Sequence, residues 1–402
     1  MSFRMVDQQP RGNPVTQAPI CVVLVLFYRT QLEDSSLIPI LTKVAAAPSS
    51  PHLQRFQRTQ TQWGESSVDV PRLLYANAGF DADFGRRIDQ FRQHGNFTMA
   101  FATLQPGMRY FESHDGYLAY DRYWGTNFVL GDPVAPLENH PAIIMEFLSR
   151  FPRTCFCQIS RTTGATLARM GWFVNEFGAD MELDLRTYDF TGPKKSKFRQ
   201  AARKIERECY TIEERDAAED DGTELEALCD SWLPSMTIKR ECRFLSRPLA
   251  FGDEPEVRKF FLRNADGEIV SFVAFDPICA NSEVVGYSPA VKRRSPDAPT
   301  GAEEAITKFA IEKFRSEGFM TLHAGLIPLY DIQDSEFRDA WLLKQIFRWA
   351  YRCGDRFVFN FRGHADFKHR YRGTLHKLYF ATRARVGNAW SLLALLRLCR
   401  FC

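Results

Sequence analysis

Twice along this 402-residue chain, short strand patterns joined by turn signals give way to the order helix, strand, helix, strand. No other feature narrows the fold as far. The first pass reads as strands at 96–103, 108–113, 116–122 and 126–131, with His114-Asp115-Gly116 as a hairpin turn. A helix at 137–150, a strand at 154–159, a helix at 163–170 and a strand at 181–185 follow. The second pass opens at Gly192-Pro193 with a helix at 194–208 and an acidic, solvated run from Glu213 to Glu226. Strands at 257–263 and 268–276, turning at Ala265-Asp266-Gly267, and a strand at 283–287 come next. Then come a helix at 301–316, a strand at 320–324, a helix at 337–351 and strands at 357–361 and 378–382. Each pass also opens a helix with Thr-Gly-Ala, at 163–165 and 300–302. The expectation is α/β, with two similar modules packed in tandem. Its boundaries are an arm over 1–70, modules over 71–190 and 191–388, and an amphipathic basic tail over 389–402. The arm is rich in Gln, Pro, Ser and Thr, a composition that does not build a core.

Charge is distributed unevenly. Residues 340–402 hold thirteen Lys and Arg against two acids, a net of +11, in a chain whose total is +3. The other residues therefore sum to about −8, and a cationic C-terminal end of this kind suits polyanions. Within it, Asn360-Phe361-Arg362-Gly363-His364-Ala365-Asp366-Phe367-Lys368-His369-Arg370-Tyr371 packs titratable groups too densely for a buried segment. Ten cysteines include one CxxC, Cys399-Arg400-Phe401-Cys402 at the chain end, but no Cys/His cluster with zinc spacing, which points to reduced thiols, no metal and a cytosolic setting. The apolar runs, such as 20–28, fall short of the ~20 residues that span a bilayer. The tail from Trp390 to Cys402 suits either a membrane headgroup boundary or docking as a terminal helix.

Six segments, in order, resemble the catalytic domain of the lipid aminoacyltransferases, the lysyl- and alanyl-phosphatidylglycerol synthases of bacteria and their fungal relatives that act on ergosterol. They are Pro106-Gly107-Met108-Arg109-Tyr110-Phe111, Leu130-Gly131-Asp132-Pro133-Val134-Ala135-Pro136, and Lys197-Phe198-Arg199-Gln200-Ala201 with Ile205-Glu206-Arg207-Glu208. Arg293 with Pro296-Asp297-Ala298-Pro299-Thr300-Gly301, His323-Ala324-Gly325-Leu326-Ile327-Pro328-Leu329, and the stretch from Asn360 to Tyr371 complete the set. The resemblance covers roughly residues 84–385 and implies two GNAT-like acyltransferase modules in tandem. It implies an aminoacyl-tRNA donor, a membrane-lipid acceptor, no further cofactor and an indirect dependence on an aminoacyl-tRNA synthetase. It also implies a catalytic unit at the cytoplasmic face, peripherally associated with the membrane. No counterpart of the family's many-helix flippase domain, nor a fused synthetase domain, is visible. Two acids of the family pattern are replaced, by Ala290 and by His323, which argues against a cationic amino acid and for a small neutral one such as glycine or alanine.

Moving an aminoacyl group from a ribose ester to a hydroxyl requires alignment, neutralisation of a tetrahedral oxyanion and transfer of one proton. Lys368 and Arg370 fall on the motif positions suited to the tRNA 3′ end and the oxyanion. His364 and Asp366 form a candidate proton-transfer pair, provided a turn follows Gly363. Substrate-binding candidates are Arg293, Asp297, Gly301, His323 and Asn360, with Lys197, Arg199 and Arg203 of the basic helix following a phosphate backbone. Two other readings remain open at this point. One is a module that binds tRNA or anionic lipid without turnover. The other is an acyl-CoA-dependent N-acyltransferase, although the pyrophosphate loop of such enzymes has no clear copy.

Overall fold

The computed structural model describes residues 82–215, 222–236, 240–250, 254–356, 359–383 and 388–401; the arm over 1–70 lies outside them. The strands are β1 (Arg109–Ser113), β2 (Gly116–Tyr123), β3 (Thr126–Leu130), β4 (Thr154–Ile159), β5 (Phe173–Asp184), β6 (Thr211–Arg215) and β7 (Arg258–Arg263). They continue with β8 (Ile269–Ala280), β9 (Glu283–Arg294), β10 (Thr321–His323), β11 (Ile327–Pro328) and β12 (Thr374–Thr382). All belong to one mixed sheet with the order β1-β2-β3-β4-β12-β5-β10-β9-β8-β7-β6, and β11 pairs with β5. The helices are α1 (Ala82–His94), α2 (His140–Arg150), α3 (Arg161–Arg169), α4 (Ser196–Arg207) and α5 (Thr223–Trp232). The later ones are α6 (Ala302–Ser316), α7 (Trp341–Cys353), α8 (Phe361–His369) and α9 (Asn388–Leu398).

Apart from β6, an additional strand at one edge, that order reads the same from either end. In each half a hairpin meander feeds a helix crossover into a parallel pair, β3 with β4 through α2 and β9 with β10 through α6. Each half then sends its last strand into the other. Strand β12, from the second half, runs antiparallel to both β4 and β5, and β5, from the first, pairs with β10. The α/β expectation of two like modules therefore holds, with exchanged terminal strands at the joint. Hydrophobic burial follows the sheet: Phe128, Cys157, Phe177 and Phe380 lie in one core, while Leu183, Phe198, Phe260, Phe314 and Leu322 lie in another.

Four local expectations change. The segment 96–103 forms turns and a short 3-10 helix at Phe101–Leu104. The acidic run includes strand β6, where Glu213 meets Arg263 at 2.6 Å and Glu214 meets Arg258 at 2.5 Å. Cross-strand pairing thus supplies partners for charges that looked merely solvated. The expected strand ending at Phe361 instead ends in helix α8, whose first turn is capped by Asn360 Oδ1 accepting from Gly363 N at 2.9 Å. The tail forms α9 and docks inward: Ala394, Leu395, Leu398 and Cys399 are buried in the first core, and Arg397 and Arg400 face solvent. Of the two readings of the tail, the docked terminal helix is the one adopted.

Candidate active site

Helix α8 decides which of the titratable residues meet. Residues four apart on a helix share a face, whereas residues two apart do not. His364 and Lys368 therefore point together, and both donate to the Leu326 carbonyl, from Nε2 at 3.3 Å and Nζ at 2.7 Å. Asp366 lies on the exposed side. The pairing of His364 with Asp366 is consequently not formed; the turn it required after Gly363 is replaced by helix.

The Leu326 carbonyl is brought under α8 by the bend between β10 and β11. Gly325 there has φ +78°, a left-handed value that favours glycine. A Cβ at that position would stand 3.3 Å from Lys368 Nζ and 3.7 Å from Ser288 Oγ of β9. A side chain at 325 would thus crowd the lysine amine, so glycine lets the bend pass closely between a lysine and a hydroxyl.

Burial shapes the charges. Lys368 is 6% exposed, and its ammonium is pushed down to about 7 by desolvation and then by Lys292, with Asp180 opposing. His364 lies well below the ordinary histidine value, through burial and then through Lys368 and Lys292. It is a neutral imidazole at physiological pH. Lys292, on β9, ion-pairs loosely with Glu303 at 3.6 Å and sits 4.7 Å above the Phe367 ring.

Beside this pair, His323 closes β10 and turns Nδ1 to Asp180 Oδ2 at 2.6 Å. Asp180 belongs to β5 of the first half and is 3% exposed. Its Oδ2 also accepts from Thr98 Oγ1, and its Oδ1 accepts from the Met181 amide at 2.8 Å. Burial alone would raise the Asp180 carboxyl; the bonds from His323 and Thr98, with the charge of Lys368, reverse that and hold it below its usual range. Conversely, burial would lower His323, but Asp180 and the more distant Glu182 hold it above 6.5. Asp180 and Thr98 escaped the sequence reading because they gain meaning only when β5 crosses into the other half.

The remaining candidates stand elsewhere. Strand alternation sends Arg293 away from Lys292, to stack 3.9 Å from the Trp232 ring of α5 and to ion-pair with Glu241. Arg293 is 7% exposed, and its Nε has no hydrogen-bond partner. Arg370 joins Glu304 of α6 at 2.7 Å, and Asp297 is exposed in the turn before α6. Gly301 begins α6 with φ +95°, where a Cβ would come within 2.9 Å of Ala201 on α4, so close helix packing accounts for it. On α4, Arg199 donates to the carbonyls of Phe190 and Gly192 at 2.5 and 2.7 Å, while Lys197 and Arg203 are exposed. No group of three or more metal-ligating side chains occurs among the described residues.

Residues 88–382 match the family described as phosphatidylglycerol lysyltransferase, C-terminal. The chain belongs to that family. It is 28% identical over 316 residues to the phosphatidylglycerol lysyltransferase of Bacillus subtilis (strain 168), an alignment spanning 76% of this chain. The same alignment covers 36% of the relative, so the chain spans about a third of that protein's length. Among solved structures, L-PGS from Bacillus licheniformis superposes with a TM-score of 0.65 at 22% identity, over 79% of this chain and 96% of that one. The C-terminal domain of a chain assigned as a lysylphosphatidylglycerol synthetase of Agrobacterium fabrum gives 0.64 at 20%, over 78% and 96%. At such identities the two structures speak for the fold. Membership of the phosphatidylglycerol lysyltransferase family rests on the sequence match, which takes in β1 through β12 and both halves of the cleft.

Proposed function

We propose that the protein transfers an aminoacyl group from aminoacyl-tRNA to the hydroxyl of a membrane lipid, forming an aminoacyl ester. The observation that carries this reading is the convergence of Lys368 and His364 on one carbonyl, beside the Asp180–His323 pair, in a chain of the phosphatidylglycerol lysyltransferase family. Lys368, when protonated, is the cation for the tetrahedral oxyanion in a water-poor site, where a fixed charge is worth most. The exposed cations of α4 and the C-terminal charge excess suit the tRNA backbone.

The amino acid proposed is small and neutral, glycine or alanine. Where the family pattern carries acids, this chain has Ala290 and His323, and Asp180 is already engaged by His323 and Thr98. Among the described residues, those three positions therefore offer no free carboxylate to a cationic side chain. The acceptor proposed is a sterol of the ergosterol type, with phosphatidylglycerol as the alternative. The protein would act at the cytoplasmic face of the membrane; no helix among the described residues is long and apolar enough to cross it.

The test is lipid extraction from cells expressing the protein, with mass spectrometry of the ninhydrin-positive species, paired with a ribonuclease-treated extract. A new glycyl or alanyl lipid that disappears after ribonuclease supports the reading. Transfer sustained by acyl-CoA as the only donor would replace it with an acyl-CoA-dependent transferase.

A further inference from the structure

We infer that His323 is the general base of the transfer, held by Asp180 and Thr98, so that the first half of the chain completes the catalytic site of the second. The inference rests on the transfer reading above and assigns a role which that reading leaves open. Its basis is geometric. Asp180 Oδ2 receives the Thr98 hydroxyl and faces His323 Nδ1 at 2.6 Å, and Thr98 Oγ1 also approaches Nδ1 at 3.3 Å. A carboxylate at Nδ1 fixes the tautomer with the proton on that nitrogen and leaves the lone pair on Nε2. No described residue bonds Nε2, and it is not among the buried unpartnered atoms. The side chain is 17% exposed, so Nε2 opens toward solvent from an otherwise enclosed ring. A buried carboxylate, an oriented imidazole and an accessible second nitrogen make up the base half of a nucleophile-activating triad.

His364 is the other imidazole of the cleft, and it is unsuited to this task. Its Nε2 is spent on the Leu326 carbonyl, and burial among Lys368 and Lys292 leaves it a weak base. The two histidines thus divide: one is a neutral structural donor and the other is carboxylate-backed.

The step balances without another reactant. Nε2 of His323 takes the proton of the acceptor hydroxyl as its oxygen bonds to the ester carbonyl carbon. The resulting oxyanion is met by the Lys368 ammonium. Collapse breaks the bond from that carbon to the ribose oxygen, and the imidazolium gives its proton to that oxygen, regenerating the ribose hydroxyl. Asp180 stabilises the imidazolium in between and stays ionised.

Four ionisable groups bear on His323 or its partner. Asp180 and Glu182 come from β5, Lys368 from α8 acts on Asp180, and His376 of β12 holds Glu182 at 2.8 Å. Removing Asp180 should therefore shift the acid limb of the rate profile to lower pH, because its charge is the main one raising His323.

The experiment compares wild type, His323→Ala, His323→Gln and Asp180→Asn in single-turnover transfer from glycyl- or alanyl-tRNA to ergosterol and phosphatidylglycerol in mixed micelles. Thermal melts verify folding, and the glutamine variant serves should alanine fold poorly. The expected result is a loss of roughly a hundredfold or more in the transfer rate for both His323 variants. The half-saturating aminoacyl-tRNA concentration should stay unchanged, and added imidazole should partly rescue His323→Ala. Asp180→Asn should slow transfer and move the acid limb down. Near-normal transfer by folded His323 variants, or an acid limb that survives their substitution in place, overturns the assignment while leaving the transfer reading intact. A wild type that transfers nothing from either aminoacyl-tRNA overturns both.

Discussion

Helices α3 and α8 occupy matching places in the two halves, yet one is plugged with apolar side chains and the other is lined with titratable ones. Each follows a strand of a parallel pair, each is nine residues long, and each is capped by its preceding side chain, Ser160 on Thr163 N and Asn360 on Gly363 N. Four and eight residues beyond the cap, α8 carries His364 and Lys368, where α3 carries Gly164 and Ala168. A Cβ on Gly164 would meet Phe337 and Val174 at 3.3 Å each, and Tyr379 at 3.8 Å.

The difference begins between strand and helix. In the first half β4 ends at Ile159 and α3 starts at Arg161; in the second, residues 324–360 intervene between β10 and α8. The start of that insertion supplies Gly325 and the Leu326 carbonyl to the second half. Its middle covers the first: the Arg338 carbonyl accepts from Val174 N at 2.9 Å, Asn175 and Ala340 exchange two bonds of 3.1 Å, and Arg161 pairs with Glu336 at 2.5 Å. One insertion gives the titratable face of α8 its carbonyl partner and packs over the counterpart helix. The comparison teaches that a duplicated scaffold can keep its joint symmetric while only one copy keeps titratable side chains on the matching helix face.

The largest effect should come from Lys368→Ala, on the order of a hundredfold lower turnover if its charge meets the oxyanion. Steady-state transfer by a variant with a normal melting curve checks this; near-wild-type turnover removes the chemical side of the comparison. The pH profile sharpens it. The ammonium is the working form, and its value of about 7 means that charge, and with it turnover, is lost as pH rises through that value. Lys368→Arg keeps its charge to far higher pH, so its residual activity should show the alkaline limb displaced upward.

Gly325→Ala comes next. A methyl group in the left-handed bend, 3.3 Å from Lys368 Nζ, costs backbone strain and occupies the space beside the amine. About a tenfold loss in kcat/KM is expected, since the change displaces Lys368 without removing it. Arg370→Ala should cost only severalfold, because its ion pair with Glu304 ties the end of α8 to α6 and is partly open to solvent. A loss as large as that of Lys368→Ala would move Arg370 from positioning the helix to meeting the reacting ester.

Much of this architecture was legible along the chain, because strand alternation and helical periodicity are local. The strand at 154–159 was placed to the residue, and the hairpin at Asp266-Gly267 announced itself by its turn. Sequence could not show the exchange of β5 and β12, since pairing partners far apart leave no periodic signal. The same gap hid Asp180 and Thr98, whose role depends on β5 lying beside β10. At α8 the apolar residues before Gly363 favoured a strand, whereas the Asn360 cap and the packing of Phe361, Ala365 and Lys368 impose a helix. That single change of period undid the His364–Asp366 pairing and created the His364–Lys368 face.

The smallest effect on chemistry should come from filling the plugged side. Gly164→Leu forces a side chain against Phe337 and Val174, and overpacking of this kind costs about 1–3 kcal/mol of stability. The Phe337 ring is the neighbour best able to yield, because it belongs to the insertion rather than to the sheet. If the first cleft is only a packing surface, turnover per folded molecule should stay within about twofold of wild type while the melting temperature falls. Chemical denaturation and single-turnover transfer on the same preparation separate the two quantities. The opposite outcome, a sharp loss of transfer at intact stability, would mean that moving Phe337 displaces the other end of the insertion. Leu326 and Lys368 would then shift together, and the plugged half would act as a positioning element for the open one.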